Sequence, residues 1–152
     1  MDLSTVFEIF PTQEHCLTHI EAARWPDGHV CPYCGGRHST CVPKERRHHC
    51  NRCNTSYSAT VGTIFHRTHL PLQKWLLALV LALRENAGLS ARHLARELGV
   101  SKDTALRVST RIRAAMADGH QRELLLKLIA IEEYERWRHH KVNTQTDAGD
   151  TA

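Results

Sequence analysis

Four cysteines stand in two pairs of identical spacing, Cys31-Pro-Tyr-Cys34 and, fifteen residues further on, Cys50-Asn-Arg-Cys53. A C-x-x-C pair places two sulfurs on one tight backbone knuckle, and Gly35-Gly36 directly after the first lets the chain turn back on itself. Two knuckles offer four thiolates at tetrahedral positions, which suits Zn²⁺, and the spacer has the length expected of a zinc site. The expected cofactor is one zinc per chain, held by Cys31, Cys34, Cys50 and Cys53. Iron in a rubredoxin-like site would use the same four sulfurs and is the rival metal. Two disulfides or four free thiols are the metal-free alternatives, and both are disfavoured in a reducing compartment. Four thiolates on a divalent ion leave net negative charge, which Arg37, Arg46, Arg47 and Arg52 are placed to offset. Arg46 and Arg47 suit a phosphate backbone equally well. Cys16 and Cys41 are left over, the first expected in a core and the second on one side of a strand. His48 and His49 precede Cys50, but four cysteines already complete a shell.

A second group of residues carries cations at helical spacing. In Ala91–Ser109, Leu94, Ala95 and Leu98 fall on one face of a first helix, and Ala105, Val108 and Ile112 on one face of a second. Gly99 stands at the turn between them, and the small Ala95 and Ala105 permit close approach. This is the pattern of a helix-turn-helix with its recognition helix over 102–117. The outer face of that helix carries Arg107 and Thr110, flanked by Lys102, Arg111 and Arg113. The planar fork of Arg107 can meet guanine O6 and N7, while Lys102, Arg111 and Arg113 suit phosphates. Helix pairs of this kind also occur as plain structural bundles.

The remaining sequence must position these groups. Residues 1–28 read as an N-terminal helical segment, with Thr12 capping a helix after Pro11 and Cys16, Leu17, Ile20 and Ala23 forming its apolar stripe. Residues 29–62 read as the zinc ribbon, its strands near Thr40–Val42, Arg47–His49 and Thr55–Ser58 being too short to stand without a metal. Residues 70–118 read as the helix-turn-helix unit. Its first helix starts at Pro71, carries Trp75, Leu76, Leu79, Val80 and Leu83 inward, and ends at Asn86-Ala87-Gly88. Ser90 and Ser101 cap the two helices that follow. Residues 119–140 suit either a helix or a buried strand through Leu124–Ile129, and 141–152 lack apolar content and read as a disordered tail. The fold class expected is α+β, mainly α: a small four-cysteine zinc ribbon followed by a three-helix unit.

The ordered set Phe10-Pro11-Thr12, Arg24 to Gly28, Cys31 to Gly36, Cys50 to Cys53, Thr60 to Phe65, Leu70 to Trp75 and Leu94 to Ser101 resembles the N-terminal region of bacterial insertion-sequence transposases that carry a transposase zinc-ribbon domain. The resemblance covers about residues 5–118. It implies a zinc ribbon followed by a helix-turn-helix, both serving recognition of transposon ends in double-stranded DNA. Family members continue into an RNase-H-like domain whose first metal-binding acid lies in a V-D-E-T-Y stretch. The corresponding place here reads Ile131-Glu132-Glu133-Tyr134, and the sequence stops about twenty residues later. A DNA-binding part without catalytic activity is therefore expected, with Glu132, Glu133 and Glu135 as a charged face beside Arg136 and Arg138.

Composition sets the outer limits. The 152 residues suit one domain or two small ones, with 41% hydrophobic and 24% charged residues and only six cysteines. The longest apolar run, Trp75–Leu83, is far short of a membrane span. No signal peptide is visible at the N-terminus, so a cytoplasmic, nucleoid-associated protein is expected. Net charge is +4. Up to residue 60, six Lys/Arg balance six Asp/Glu, so the excess lies beyond, where fourteen face ten. That surplus fits a polyanionic partner. The alternatives to a stand-alone DNA-binding protein are a zinc-stabilised interaction or regulatory module, and one subunit of a split, active transposase. A second copy of the chain or a full-length transposase is the further partner considered.

Overall fold

The computed structural model describes residues 2–84 and 90–130. Asp2 caps α1 (Leu3–Ile9) by accepting from the Thr5 amide at 2.9 Å. Thr12 caps α2 (Gln13–Arg24) through the His15 amide. The N-terminal segment is thus two helices, with Phe10 ending the first and Pro11-Thr12 starting the second. Cys16 and Ile20 are the fully buried members of the α2 stripe.

After a turn at Pro26–Gly28 the chain enters a three-stranded antiparallel sheet, β1 (Ser39–Val42), β2 (Arg47–Cys50) and β3 (Ser56–Tyr57), in the order β1-β2-β3. Thr40 pairs with His49, and His48 pairs with Tyr57. A 3₁₀ turn at Pro43–Glu45 joins β1 to β2, with Arg46 left-handed at φ 53°.

Helix α3 (Leu72–Leu79) continues as one wider, π-type turn over Val80–Arg84. It is almost wholly buried: Trp75, Leu76, Leu77 and Leu79 are each at most 2% exposed, which is what an all-round apolar sequence demands. Its expected end at Asn86–Gly88 lies outside the described residues. Helix α4 (Ala91–Leu98) and helix α5 (Lys102–Ala117) follow, capped by Ser90 and Ser101. Gly99 is left-handed at φ 64°, and the Val100 amide donates back to the Ala95 carbonyl at 3.0 Å, the closing bond of a Schellman turn. Leu94, Leu98, Ala105, Val108 and Ile112 face inward as their spacing requires.

Residues 119–128 form a helix, α6 (Gly119–Leu128), and the strand alternative is thereby set aside. The Asp118 carboxylate accepts from the His120 and Gln121 amides and so starts a helix immediately after α5. Leu125 and Leu128 then turn inward while Leu126 stays 47% exposed. A strand would have buried Leu124, Leu126 and Leu128 together. Helix α6 packs on α5 and on α2, where a His19 ring nitrogen meets the Leu128 carbonyl at 3.0 Å. The assignments for 131–140 and for the 141–152 tail, including Glu132, Glu133 and Glu135, fall outside the described residues.

The mainly helical α+β class holds, with two apolar clusters. The large one is centred on α3 and gathers residues from every helix. The small one comprises Cys31, Cys50, Tyr57 and Val61, and Trp25 packs against both. Four buried side chains supply about 1.5–3 kcal/mol each at best, whereas ordering costs roughly 1–2 kcal/mol per residue. The ribbon's own core is therefore too small to order it.

Candidate metal centre

The two knuckles build the same local structure twice. The Gly35 amide donates to the Cys31 carbonyl and the Asn54 amide to the Cys50 carbonyl, each at 2.9 Å. Cys50 sits at the end of β2, so the sheet carries the second knuckle to the first. All four sulfurs come within 4.8 Å of one another. Cys31 and Cys53 Sγ are 3.7 Å apart, and Cys34 and Cys50 Sγ 3.5 Å. A tetrahedral ion with metal–sulfur bonds of about 2.3 Å sets its ligands roughly 3.8 Å apart, so the four sulfurs already stand at the edges such an ion needs. The donor set fits a borderline-soft tetrahedral metal.

The surroundings favour thiolates on one knuckle. The Thr55 hydroxyl, opposed by burial and aided by the Thr55 amide, holds the Cys53 thiol down to about 6. The Gly36 amide donates to Cys34 Sγ at 3.3 Å, yet burial and hydrogen bonding among the neighbouring cysteines lift Cys34 to about 11. A metal removes that conflict by taking the proton's place on all four. Gly36 is tightly enclosed: a Cβ there would stand 3.2 Å from Cys34 Sγ and from the Arg52 stem, so one of them would have to give by a few tenths of an ångström.

The arginines expected around this centre divide. Arg52 runs its stem past Gly36 beside Cys34. Arg46 is turned away, pairing with Glu14 of α2 at 3.1 Å, and Arg47 donates to the Ser56 carbonyl at 3.3 Å. Arg46 therefore ties the β1–β2 turn to α2, a contact invisible in the sequence because its partner lies 32 residues away. Cys16 is fully buried, and burial pushes its thiol up to about 12. Cys41 is exposed on β1. His48 is no ligand of the four-cysteine centre; it is buried and donates from Nε2 to Glu21 at 2.7 Å.

The cationic residues of α5 lie apart from the metal centre. Lys102, Arg107, Thr110, Arg111 and Arg113 are all exposed. Thr110 spends its hydroxyl on the Leu106 carbonyl of its own helix at 2.8 Å. Arg111 reaches the Ile64 carbonyl at 3.4 Å, in the segment between the sheet and α3. That contact brings the segment alongside α5, so that Arg67 and His69 line one groove with Thr104, Arg107 and Arg111. Arg67 and His69 were missed by pattern reading, since an irregular segment has no period to betray its direction. Arg67 is held left-handed at φ 53°. Among the described residues no helix is long and apolar enough to cross a membrane.

The sequence model of the family described as "Transposase zinc-ribbon domain" matches residues 11–56, a span that takes in α2 as well as the knuckles and the sheet. A curated relative, "Uncharacterized protein in transposable element ISH50" of Halobacterium salinarum, is 28% identical over 110 residues, covering 70% of this chain and 37% of its own length. The chain thus spans little more than a third of that relative, which is archaeal where the sequence pattern pointed to bacterial elements. No solved structure matches. Four cysteines poised for one tetrahedral ion, within a unit that α2 completes, agree with that match: over residues 11–56 the chain is similar to the transposase zinc-ribbon domain.

Proposed function

We propose that the protein binds double-stranded DNA at the ends of an insertion-sequence element, with one Zn²⁺ in the four-cysteine centre and α5 as the helix that reads bases. The observation that carries this reading is the groove along α5, where Arg107 and Arg111 face Arg67 and His69 from the preceding segment. Cations on both walls of a groove suit a phosphate strand running between them. Exposed Arg107 is then the side chain set to reach a base edge, with Lys102 and Arg113 on the flanking phosphates. The α4–α5 turn, closed by left-handed Gly99, supports this as a helix-turn-helix docking geometry. Zinc is favoured over iron because its filled d-shell accepts tetrahedral sulfur without redox demands. Its task is structural, to order a ribbon whose own core is small.

The chain binds without cutting. Two-metal strand transfer needs carboxylates converging on paired divalent ions. After α5 the described carboxylates are Asp118 and Glu123. The first caps α6 and the second pairs with Lys127 at 3.5 Å, so both have structural partners.

The test is equilibrium binding of the zinc-loaded chain to duplexes carrying the element's ends and to scrambled duplexes, at several salt concentrations. Affinity should fall linearly in log–log form, by about 0.9 per phosphate neutralised, with the end sequence preferred. Absence of binding at low salt would overturn the reading and favour an interaction module. Nicked or joined products in Mg²⁺ or Mn²⁺ would overturn the non-catalytic part.

A further inference from the structure

A second cluster of metal-ligating side chains lies where α2 meets the ribbon. One ligand atom each from Glu21, His29 and His48 falls within a 4.8 Å span. Glu21 comes from the last turn of α2, His29 from the segment leading into the first knuckle, and His48 from β2. The two imidazoles lie face to face at a tilt, ring centres 4.0 Å apart. Trp25 stands edge-on to both.

The ring nitrogens show that this packing is incomplete. His48 is 4% exposed, and its Nε2–H is held by Glu21. Its Nδ1 is buried with no hydrogen-bond partner, and so is the Nδ1 of His29. A buried nitrogen without a partner is costly, and here each of two neighbouring rings carries one. His48 Nε2 and the Glu21 carboxylate oxygen stand 2.7 Å apart, and an ion bound between them takes the place of the proton they share.

We propose that Glu21, His29 and His48 form a second metal site, sharing no ligand with the four cysteines, for a divalent transition ion of the zinc, cobalt or nickel kind. Two imidazoles and a carboxylate are the donor set such ions accept, with a fourth position left to water. Glu21 is partly exposed, beside a surface groove it lines with Glu14, Thr18, Arg46 and His48, which gives the ion a path in. The ion does structural work: it joins α2 to both the lead-in to the first knuckle and β2. It thereby fixes the ribbon on the helical body, where Trp25 and the Arg46–Glu14 pair already hold it.

The test uses the full chain with zinc in the four-cysteine centre, freed of loose metal by a mild chelator and then titrated with Co²⁺. Metal content should reach one zinc plus one cobalt per chain, and the cobalt bands should lack sulfur-to-metal charge transfer. His29→Gln and Glu21→Gln should each keep the zinc and the helical circular dichroism but bind cobalt at least about tenfold more weakly. Glu21→Gln preserves an acceptor for His48 and so guards against a mere folding defect. Saturation with no added cobalt would overturn the site. So would cobalt bands of thiolate character, or a cobalt equivalent bound unchanged in both variants, which would place the ion on other histidines.

Discussion

Gly35 and Asn54 hold the same position in the two knuckles. Each follows the second cysteine, each is left-handed, at φ 74° and 59°, and each donates its amide to the first cysteine's carbonyl at 2.9 Å. The left-handed residue closes the turn that sets two sulfurs on one side. Glycine adopts it freely, and asparagine is among the side-chain-bearing residues that tolerate it best. A Cβ at Gly35 meets nothing within 4 Å, so the cost of substitution there is conformational alone. Gly35→Ala should destabilise the zinc-loaded ribbon by roughly 1–2 kcal/mol, and Asn54→Gly should change it little. Thermal melting at fixed free zinc checks both, and a loss on Asn54→Gly as large as that on Gly35→Ala would refute the shared left-handed requirement.

The four-cysteine centre should hold one tightly bound zinc, and Cys50→Ser should lose it. The sheet should then lose its order, because its own cluster is only four residues. Elemental analysis gives the metal content, and amide exchange in Arg47–Tyr57 reports the sheet. Unchanged protection there in the metal-free variant would refute the ordering role.

The two leftover cysteines should differ in reactivity. Burial raises the Cys16 thiol to about 12 from an ordinary value near 9. A raised thiol stays protonated, and therefore unreactive, as pH climbs through 9 and until it nears 12. Alkylation of the metal-loaded protein at pH 8–9 should modify exposed Cys41 and spare Cys16 until the protein unfolds. Mass spectrometry of the modified peptides decides it.

Gln73 is 2% exposed, and it donates to the Phe10 carbonyl at 3.0 Å while its own carbonyl accepts from Gln13. Gln13 in turn accepts from the Leu72 amide. This chain stitches the α1–α2 junction to the start of α3. Gln73→Leu removes its hydrogen bonds to Phe10 and Gln13 from a buried position and should cost about 1–3 kcal/mol, read as a shifted denaturant midpoint with unchanged slope.

On DNA, Arg107→Ala should weaken binding to the preferred sequence by about 1–3 kcal/mol and relax specificity at one position. Arg111→Ala should weaken all sequences alike and reduce the salt slope by about one unit. Arg67→Ala should behave like Arg111→Ala, since both line the same groove. Three variants that bind as the parent does would remove α5 from the interface.

Local signals carried much of this protein. Thr12, Ser90 and Ser101 each cap the helix their position announces, and Gly99 ends α4 where a left-handed residue is needed. The three strands fall within a residue or two of the short segments expected of them. The first helix, α1, was harder to see. Its seven residues are too few to display a period, and Val6 and Ile9 owe their burial to α3. Leu124–Ile129 was ambiguous because a leucine run satisfies both periods, and the choice fell to the Asp118 cap and to packing on α2 and α5.

What the sequence determined by itself was whatever depends on neighbours along the chain: caps, turns, helical faces and the two knuckles that announce a metal. Only the tertiary structure decided which distant groups meet. Arg46 finds Glu14, Arg111 brings Arg67 and His69 into its groove, and Glu21, His29 and His48 converge. The physical reason is range. A cap or knuckle is chosen by dihedral preference and hydrogen bonds within four residues, so residue type reveals it. Contacts between residues decades apart are set by how α2, the sheet and α5 pack around α3, and no local preference encodes that geometry.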